Sequence, residues 1–175
     1  TATGLVAGSY TVTITDDNSC QASAGPVTIT EPTLVVATMG LPTMVTCNGD
    51  ADGSVTVTGS GGTVAGDYTY LWSNGQTTAT ATGLVAGSYT VTITDDNGCQ
   101  ASAGPVTITE PTQVVASMGL PTMVTCNGDA DGSVTVTGSG GTVAGDYTYL
   151  WSNGQTTATA SGLSPGSYSV TITDD

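Results

Sequence analysis

The stretch 47–57, CNGDADGSVTV, returns unchanged at 126–136, and almost all of the chain obeys the same 79-residue offset. Cys20 recurs as Cys99, Trp72 as Trp151, Tyr89 as Tyr168, and Glu31-Pro32 as Glu110-Pro111. A fixed period of this size marks a tandem array, so the unit of folding is the repeat rather than the chain. Residues 1–32 read as the C-terminal part of one copy, 33–111 as a complete copy, and 112–175 as a third copy lacking its last strand. The first part differs from 80–111 only where Ser19 stands for Gly98. The third copy differs from 33–96 at six positions, among them Val85 to Ser164 and Ala86 to Pro165. Near-identical neighbours suit a modular spacer better than a single active site.

Inside the complete copy, short alternating runs are punctuated by Gly, Asn, Asp and Pro, which is the signature of strands and turns. Strands are expected at 34–39, with a continuation at 44–47, and at 54–60, 68–73, 76–82, 88–94 and 100–109. Val55 and Val57 should face one side and Thr56 and Thr58 the other; Tyr89, Val91 and Ile93 should likewise oppose Thr90 and Thr92. Asn74-Gly75 predicts a type I′ hairpin. Pro105 suits an edge strand, and Glu110-Pro111 is the joint between copies. No segment carries a helical period. About seven short strands around one tryptophan predict an all-β chain of tandem immunoglobulin-like β-sandwich domains. Leu84-Val85-Ala86-Gly87-Ser88-Tyr89 also fits a tyrosine corner, in which a phenol bonds back to nearby backbone.

Composition then removes whole classes of function. There is no Lys, Arg or His, and 14 Asp and Glu give a net charge of −14. Nucleic acid, which needs cations against phosphate, is excluded as a partner, and so is polybasic attachment to anionic lipid. No apolar run approaches the ~18 residues that span a bilayer, so this segment is not expected to insert into a membrane. Without an ordinary base or a cationic oxyanion stabiliser, no catalytic residues are assigned and the chain is not expected to be an enzyme. The Thr rows on the strands are read as solvent-facing β positions rather than an ice-binding face.

Four spaced motifs carry a resemblance. Val45-Thr46-Cys47-Asn48-Gly49, Asp52-Gly53-Ser54, Tyr68-Thr69-Tyr70-Leu71-Trp72-Ser73-Asn74-Gly75, and Gly87-Ser88-Tyr89 to Asp96-Asn97-Gly98-Cys99 together resemble the SprB repeat. That resemblance covers essentially the whole chain. It implies a filament-like adhesin at the cell surface, of the kind exported by type IX secretion in gliding Bacteroidota, or a related fibre of a biofilm matrix. Gliding itself does not follow from repeats alone.

Three sets of side chains are candidates for chemistry or for junction building. Cys20, Cys47, Cys99 and Cys126 give two cysteines per repeat without metal-ligand spacing, which favours disulfides and an oxidising compartment. Pairing Cys47 with Cys99 inside one repeat is the simplest choice, provided the first strand deviates enough to bring Cys47 near the start of the last. The rival joins Cys47 to the last-hairpin cysteine of the next repeat, because sandwich topology sets the two turns at opposite ends. A third option, Cys20 with Cys47 and Cys99 with Cys126, spans two strands away from each joint.

Asn48, Asp50 and Asp52, repeated in Asp129 and Asp131, alternate oxygen ligands in a turn, as calcium prefers. Head-to-tail stacking would bring them towards the hairpin carboxylates Asp95 and Asp96 or Asp146, Asp174 and Asp175. The plainer reading of the Asp-rich turn is a solvated one whose side chains satisfy local amides. Tyr70, Trp72, Tyr89, Tyr149, Trp151 and Tyr168 are expected in the cores.

The sequence therefore points to a structural repeat array, a stalk or spacer for attachment or surface motility. Its expected partners are neighbouring repeats, copies of itself in a fibre, and a surface polysaccharide or substratum. The alternative is a polysaccharide-binding or ion-dependent ligand-binding module, which requires exposed indoles where the spacer requires buried ones.

Overall fold

The computed structural model describes residues 1–142 and 147–174. Among these every element is a strand, and every pairing between strands is antiparallel. The N-terminal portion is a hairpin of β1 (Gly8–Thr15) and β2 (Gln21–Ile29), largely exposed along both strands.

The complete copy supplies β3 (Val36–Met39), β4 (Gly53–Ser60), β5 (Thr69–Trp72), β6 (Thr80–Leu84), β7 (Gly87–Thr94) and β8 (Gln100–Ile108). They form two three-stranded sheets, ordered β3-β4-β6 and β5-β7-β8. The chain changes sheet between β4 and β5, again between β5 and β6, and once more between β6 and β7. This is the interleaved connectivity of an immunoglobulin-like sandwich. In the following copy, β9 (Thr112–Met118), β10 (Gly132–Gly141) and β12 (Thr159–Leu163) form one sheet, and β11 (Thr148–Trp151) pairs with β13 (Val170–Thr173).

The core follows directly from the alternation. On β4, Val55 and Val57 are buried while Thr56 and Thr58 face solvent; on β7, Tyr89, Val91 and Ile93 are buried. With Trp72, Ala81, Leu84, Ile108, Val35 and Val45 they close one apolar cluster between the two sheets. Val134, Val136, Trp151, Ala160 and Leu163 form its counterpart in the next copy. Each tryptophan is 2 % exposed, and its indole N–H donates to a backbone carbonyl, Trp72 to Thr78 and Trp151 to Thr157, both at 2.8 Å. The outward threonines pair across strands, as Thr56 does with Thr80 at 2.9 Å.

The phenol of Tyr89 donates to the Val85 carbonyl at 3.1 Å, with matching bonds from Tyr10 to Val6 and from Tyr168 to Ser164. These are tyrosine corners, present in all three copies.

Two local expectations are corrected. The turn at Asn74-Gly75 is not type I′. Its closing bond runs from Gly75 N to Trp72 O, so Ser73 and Asn74 are the central residues, and neither has positive φ; only Gly75 does, at +86°. That is a type I turn followed by a glycine bulge. The segment after it does not extend a hairpin with β5, because β6 crosses to pair with β4. The first strand is also shorter than expected. It ends at Met39, with Gly40 N still donating to Thr56 O at 2.8 Å, and the chain pairs again through Thr43 opposite Ser54 and through Val45 N to Thr109 O at 3.1 Å.

Candidate functional site at the junction between repeats

The Asp-rich turn sits where β8 ends. Val45 is bonded to Thr109, one residue past β8, so Cys47 to Asp50 lie beside the segment that leaves the domain. The turn is closed by Asp50 N donating to Cys47 O at 3.1 Å, with Gly49 at φ +86°. Two further bonds tie it to the joint: Gly49 N donates to the Glu110 carboxylate at 2.7 Å, and Asn48 Nδ2 to the Pro111 carbonyl at 3.0 Å. The first is charge-assisted and therefore among the stronger kinds of hydrogen bond. Together they fasten the exit of one repeat to its own first turn.

Asp52 faces back into the turn. It accepts from the Thr46 hydroxyl at 2.5 Å and the Thr46 amide at 3.1 Å, and these bonds hold its carboxyl below the ordinary range. Asp131 does the same with Thr125, whose hydroxyl also donates to Asp129 at 3.2 Å.

At the opposite end of the complete copy, Asp95 is buried and accepts three amide bonds: Thr63 on Oδ2 at 2.8 Å, and Asn97 and Cys99 on Oδ1 at 3.0 and 2.7 Å. The Thr63 bond is the largest influence on its carboxyl, and with those from Cys99 and Asn97 it outweighs burial and lowers the pKa. Asp96 accepts from Ala65 N at 2.6 Å. Asp174 holds Thr142 N at 2.6 Å as Asp95 holds Thr63, and beside it burial and then the Asp174 charge push the Tyr147 phenol up.

The site residues named from sequence thus separate into two ends of a sandwich. Asn48, Asp50 and Asp52 lie at the exit, whereas Asp95, Asp96 and Cys99 lie at the entrance. The junction then brings Cys47 and Asn48 of one repeat together with Ile172, Thr173 and Asp174 of the next around a cleft of about 310 Å³. Asp146 and Asp175 lie outside the described residues. Among the described residues no group of three or more His, Cys, Asp or Glu is placed to hold a metal ion. Trp72, Trp151 and Tyr89 are buried, while Tyr70, Tyr149 and Tyr168 are half-buried and pack against the same clusters.

All four cysteines are free and exposed. The intrarepeat pairing of Cys47 with Cys99 is overturned by their placement. The break after β3 carries Cys47 to the finish of β8, not to its start, and Cys99 immediately precedes that strand. Nine residues at ~3.3 Å each leave the two about 30 Å apart, against the ~7 Å limit for a disulfide.

Sequence reasoning missed Thr46, Thr63 and Glu110. Thr63 carried a signal, since it follows Gly61-Gly62, both at positive φ, which turn its amide towards Asp95.

The family model described as SprB repeat matches residues 42–77 and 121–156, from the bridge before the Asp-rich turn to just past each tryptophan. No curated protein matches the chain. No helix among the described residues is long and apolar enough to cross a membrane. The matched segments lie at equivalent places in successive copies, and the family is one of structural repeats in adhesin-like cell-surface proteins. The chain carries the SprB repeat in two successive copies.

Proposed function

We propose that this chain is part of an extracellular stalk, in which β-sandwich repeats stacked head to tail act as spacers through reach and stiffness. The observation that carries this reading is the fastened exit: Gly49 to Glu110 and Asn48 to Pro111 hold the joint against the repeat it leaves. A joint so held transmits orientation from one domain to the next, whereas a free linker would let them tumble. Burial of Trp72 and Trp151 supports the same reading, because a polysaccharide platform needs those indoles at the surface. Adhesion in such a design belongs to modules at the tip, with the stalk presenting them. The array has no chemistry of its own in this reading and is not an enzyme.

Electron microscopy of the native array tests this. A single-chain string of uniform width, advancing roughly 35–45 Å per repeat, is the expected image. A fibre built from several laterally paired chains, or a string hinged freely at every repeat, would overturn it.

A further inference from the structure

We propose that Asn74 and its counterpart Asn153 are sites of spontaneous modification, where the side-chain amide is lost through a cyclic imide formed with the following glycine, while Asn48, in the same Asn-Gly pair, is held back. The proposal concerns the chemistry of the turns and stands whether or not the repeats form a stalk.

Asn-Gly pairs begin at Asn48, Asn74, Asn97, Asn127 and Asn153. Glycine leaves its own nitrogen unhindered, so sequence alone makes each pair a candidate. Three groups react: the glycine nitrogen attacks, the side-chain carbonyl oxygen collects negative charge, and the side-chain nitrogen leaves. The turns hold these groups differently.

At Asn74 the carbonyl meets a fixed donor. Gln76 N donates to Asn74 Oδ1 at 3.2 Å, where charge develops as Cγ becomes tetrahedral. Gln76 is itself held at three further points. Trp72 N donates to its carbonyl at 2.9 Å, its Nε2 donates to Thr82 O at 2.8 Å, and its Oε1 accepts from Thr82 N at 3.0 Å. A donor fixed beforehand where charge appears lowers the barrier without reorganising. The next copy repeats all four bonds at the same lengths, from Gln155 to Asn153, Trp151 and Ser161. Residues 68–94 and 147–173 hold no Asp or Glu, so no carboxylate adjacent in sequence opposes charge on the attacking nitrogen.

At Asn48 both the attacking and the leaving nitrogen are engaged. Gly49 N donates to the Glu110 carboxylate at 2.7 Å, and Asn48 Nδ2 to Pro111 O at 3.0 Å. A carboxylate is far too weak a base to take a backbone amide proton, and its charge disfavours the anionic nitrogen that must attack. The bonds that fasten the joint are thus also those that preserve its asparagine. At Asn97, Gly98 N is bonded to Asp95 O at 3.0 Å much as Gly75 N is to Trp72 O at 2.9 Å, but two aspartates, Asp95 and Asp96, directly precede the pair.

In the reaction Gly75 N gives up its bond to Trp72 O and its proton passes to hydroxide. The nitrogen bonds to Asn74 Cγ, the Cγ–Nδ2 bond breaks, and ammonia leaves. Water then opens either carbonyl of the imide, giving aspartate or isoaspartate. The sum is one amide and one water giving one carboxylate and one ammonium ion. Each event adds a negative charge to a chain with no Lys, Arg or His to offset it.

The test is incubation of the 175-residue chain in mildly alkaline buffer, then cleavage before aspartate and peptide mass spectrometry. The peptides holding Asn74 and Asn153 differ at Thr82 and Ser161, so the two copies are read separately. In the folded chain Asn74 and Asn153 should convert at equal rates, about tenfold or more faster than Asn48. In urea, where only local sequence acts, the three rates should converge. Gln76→Ala should slow Asn74 by about three- to tenfold and leave Asn153 unchanged in the same molecule, whereas a turn merely loosened would react faster. Glu110→Ala should speed Asn48 by about tenfold without touching Asn74. Equal rates at Asn48 and Asn74 in the folded chain, a ranking that survives in urea, or faster loss at Asn74 in Gln76→Ala would each overturn the proposal.

Discussion

Replacing Trp72 with Phe separates a core indole from a binding indole. The side chain is 2 % exposed and its N–H donates to Thr78 O at 2.8 Å. Phe removes that donor and leaves the carbonyl without it, at a cost of about 1 kcal/mol. It also buries roughly 40 Å² less apolar surface, worth about 1 kcal/mol at ~25 cal/mol per Å². The sum, about 2 kcal/mol, is a large share of the roughly 4–12 kcal/mol that a 79-residue unit commands. It should lower the melting temperature of that unit by about 8–16 °C. Calorimetry reads this shift. Trp151, then the sole tryptophan, reports on the following copy through its emission, which should melt within about 2 °C of its original midpoint because the sites share no partners. An unchanged calorimetric transition, or a variant that keeps its stability while losing affinity for a polysaccharide, would refute the placement of Trp72 and the spacer reading with it.

Three further outcomes follow from the same geometry. Gly62→Ala should destabilise the complete repeat by about 1–3 kcal/mol, because at φ +70° a Cβ would lie 2.5 Å from Asp95 Oδ2 and 2.6 Å from Val35 Cγ2. Gly75→Ala, at φ +86° but in open space, should cost less, and urea unfolding of the two variants ranks them. Tyr89→Phe removes the bond to Val85 and should cost about 0.5–1.5 kcal/mol, read from the urea midpoint. Asp95 has a pKa lowered on folding, chiefly by the Thr63 amide, so its stabilisation is full above the ordinary carboxylate pKa and is lost as pH falls through the lower folded value. The difference in urea midpoint between the parent and Asp95→Asn should therefore be widest near neutral pH and shrink below about pH 4; a difference that grows on acidification would contradict the bonding at Asp95.

Most of the sandwich was legible because its information is local. The Val–Thr alternation of 54–58 and the Tyr-Thr-Val-Thr-Ile run of 89–93 each state which face is buried, and tertiary structure only had to agree. The Leu-to-Tyr spacing of 84–89 announced the tyrosine corner for the same reason. What stayed hidden depends on partners far along the chain. Nothing near Glu110 says that its carboxylate is taken by Gly49, 61 residues earlier. The Asn74-Gly75 pair suggested a hairpin turn, but the turn began one residue sooner and the glycine fell into the bulge. Asp52 looked like a ligand from its neighbours Asn48 and Asp50, and only the Thr46 bonds show it facing its own turn. For the cysteines the missing fact was at which end of β8 the first strand's deviation delivers Cys47.

The fastened exit has a mechanical consequence. A pull along the chain leaves the complete copy at Glu110 and Pro111, and both are held back by the turn at Asn48 and Gly49. Load is therefore shared between β8 and the segment that leads into β4, rather than falling on the edge strand alone. In a force spectrometer, Glu110→Ala should lower the force at which that repeat opens, and an unchanged force would show that the joint carries no load through this bond.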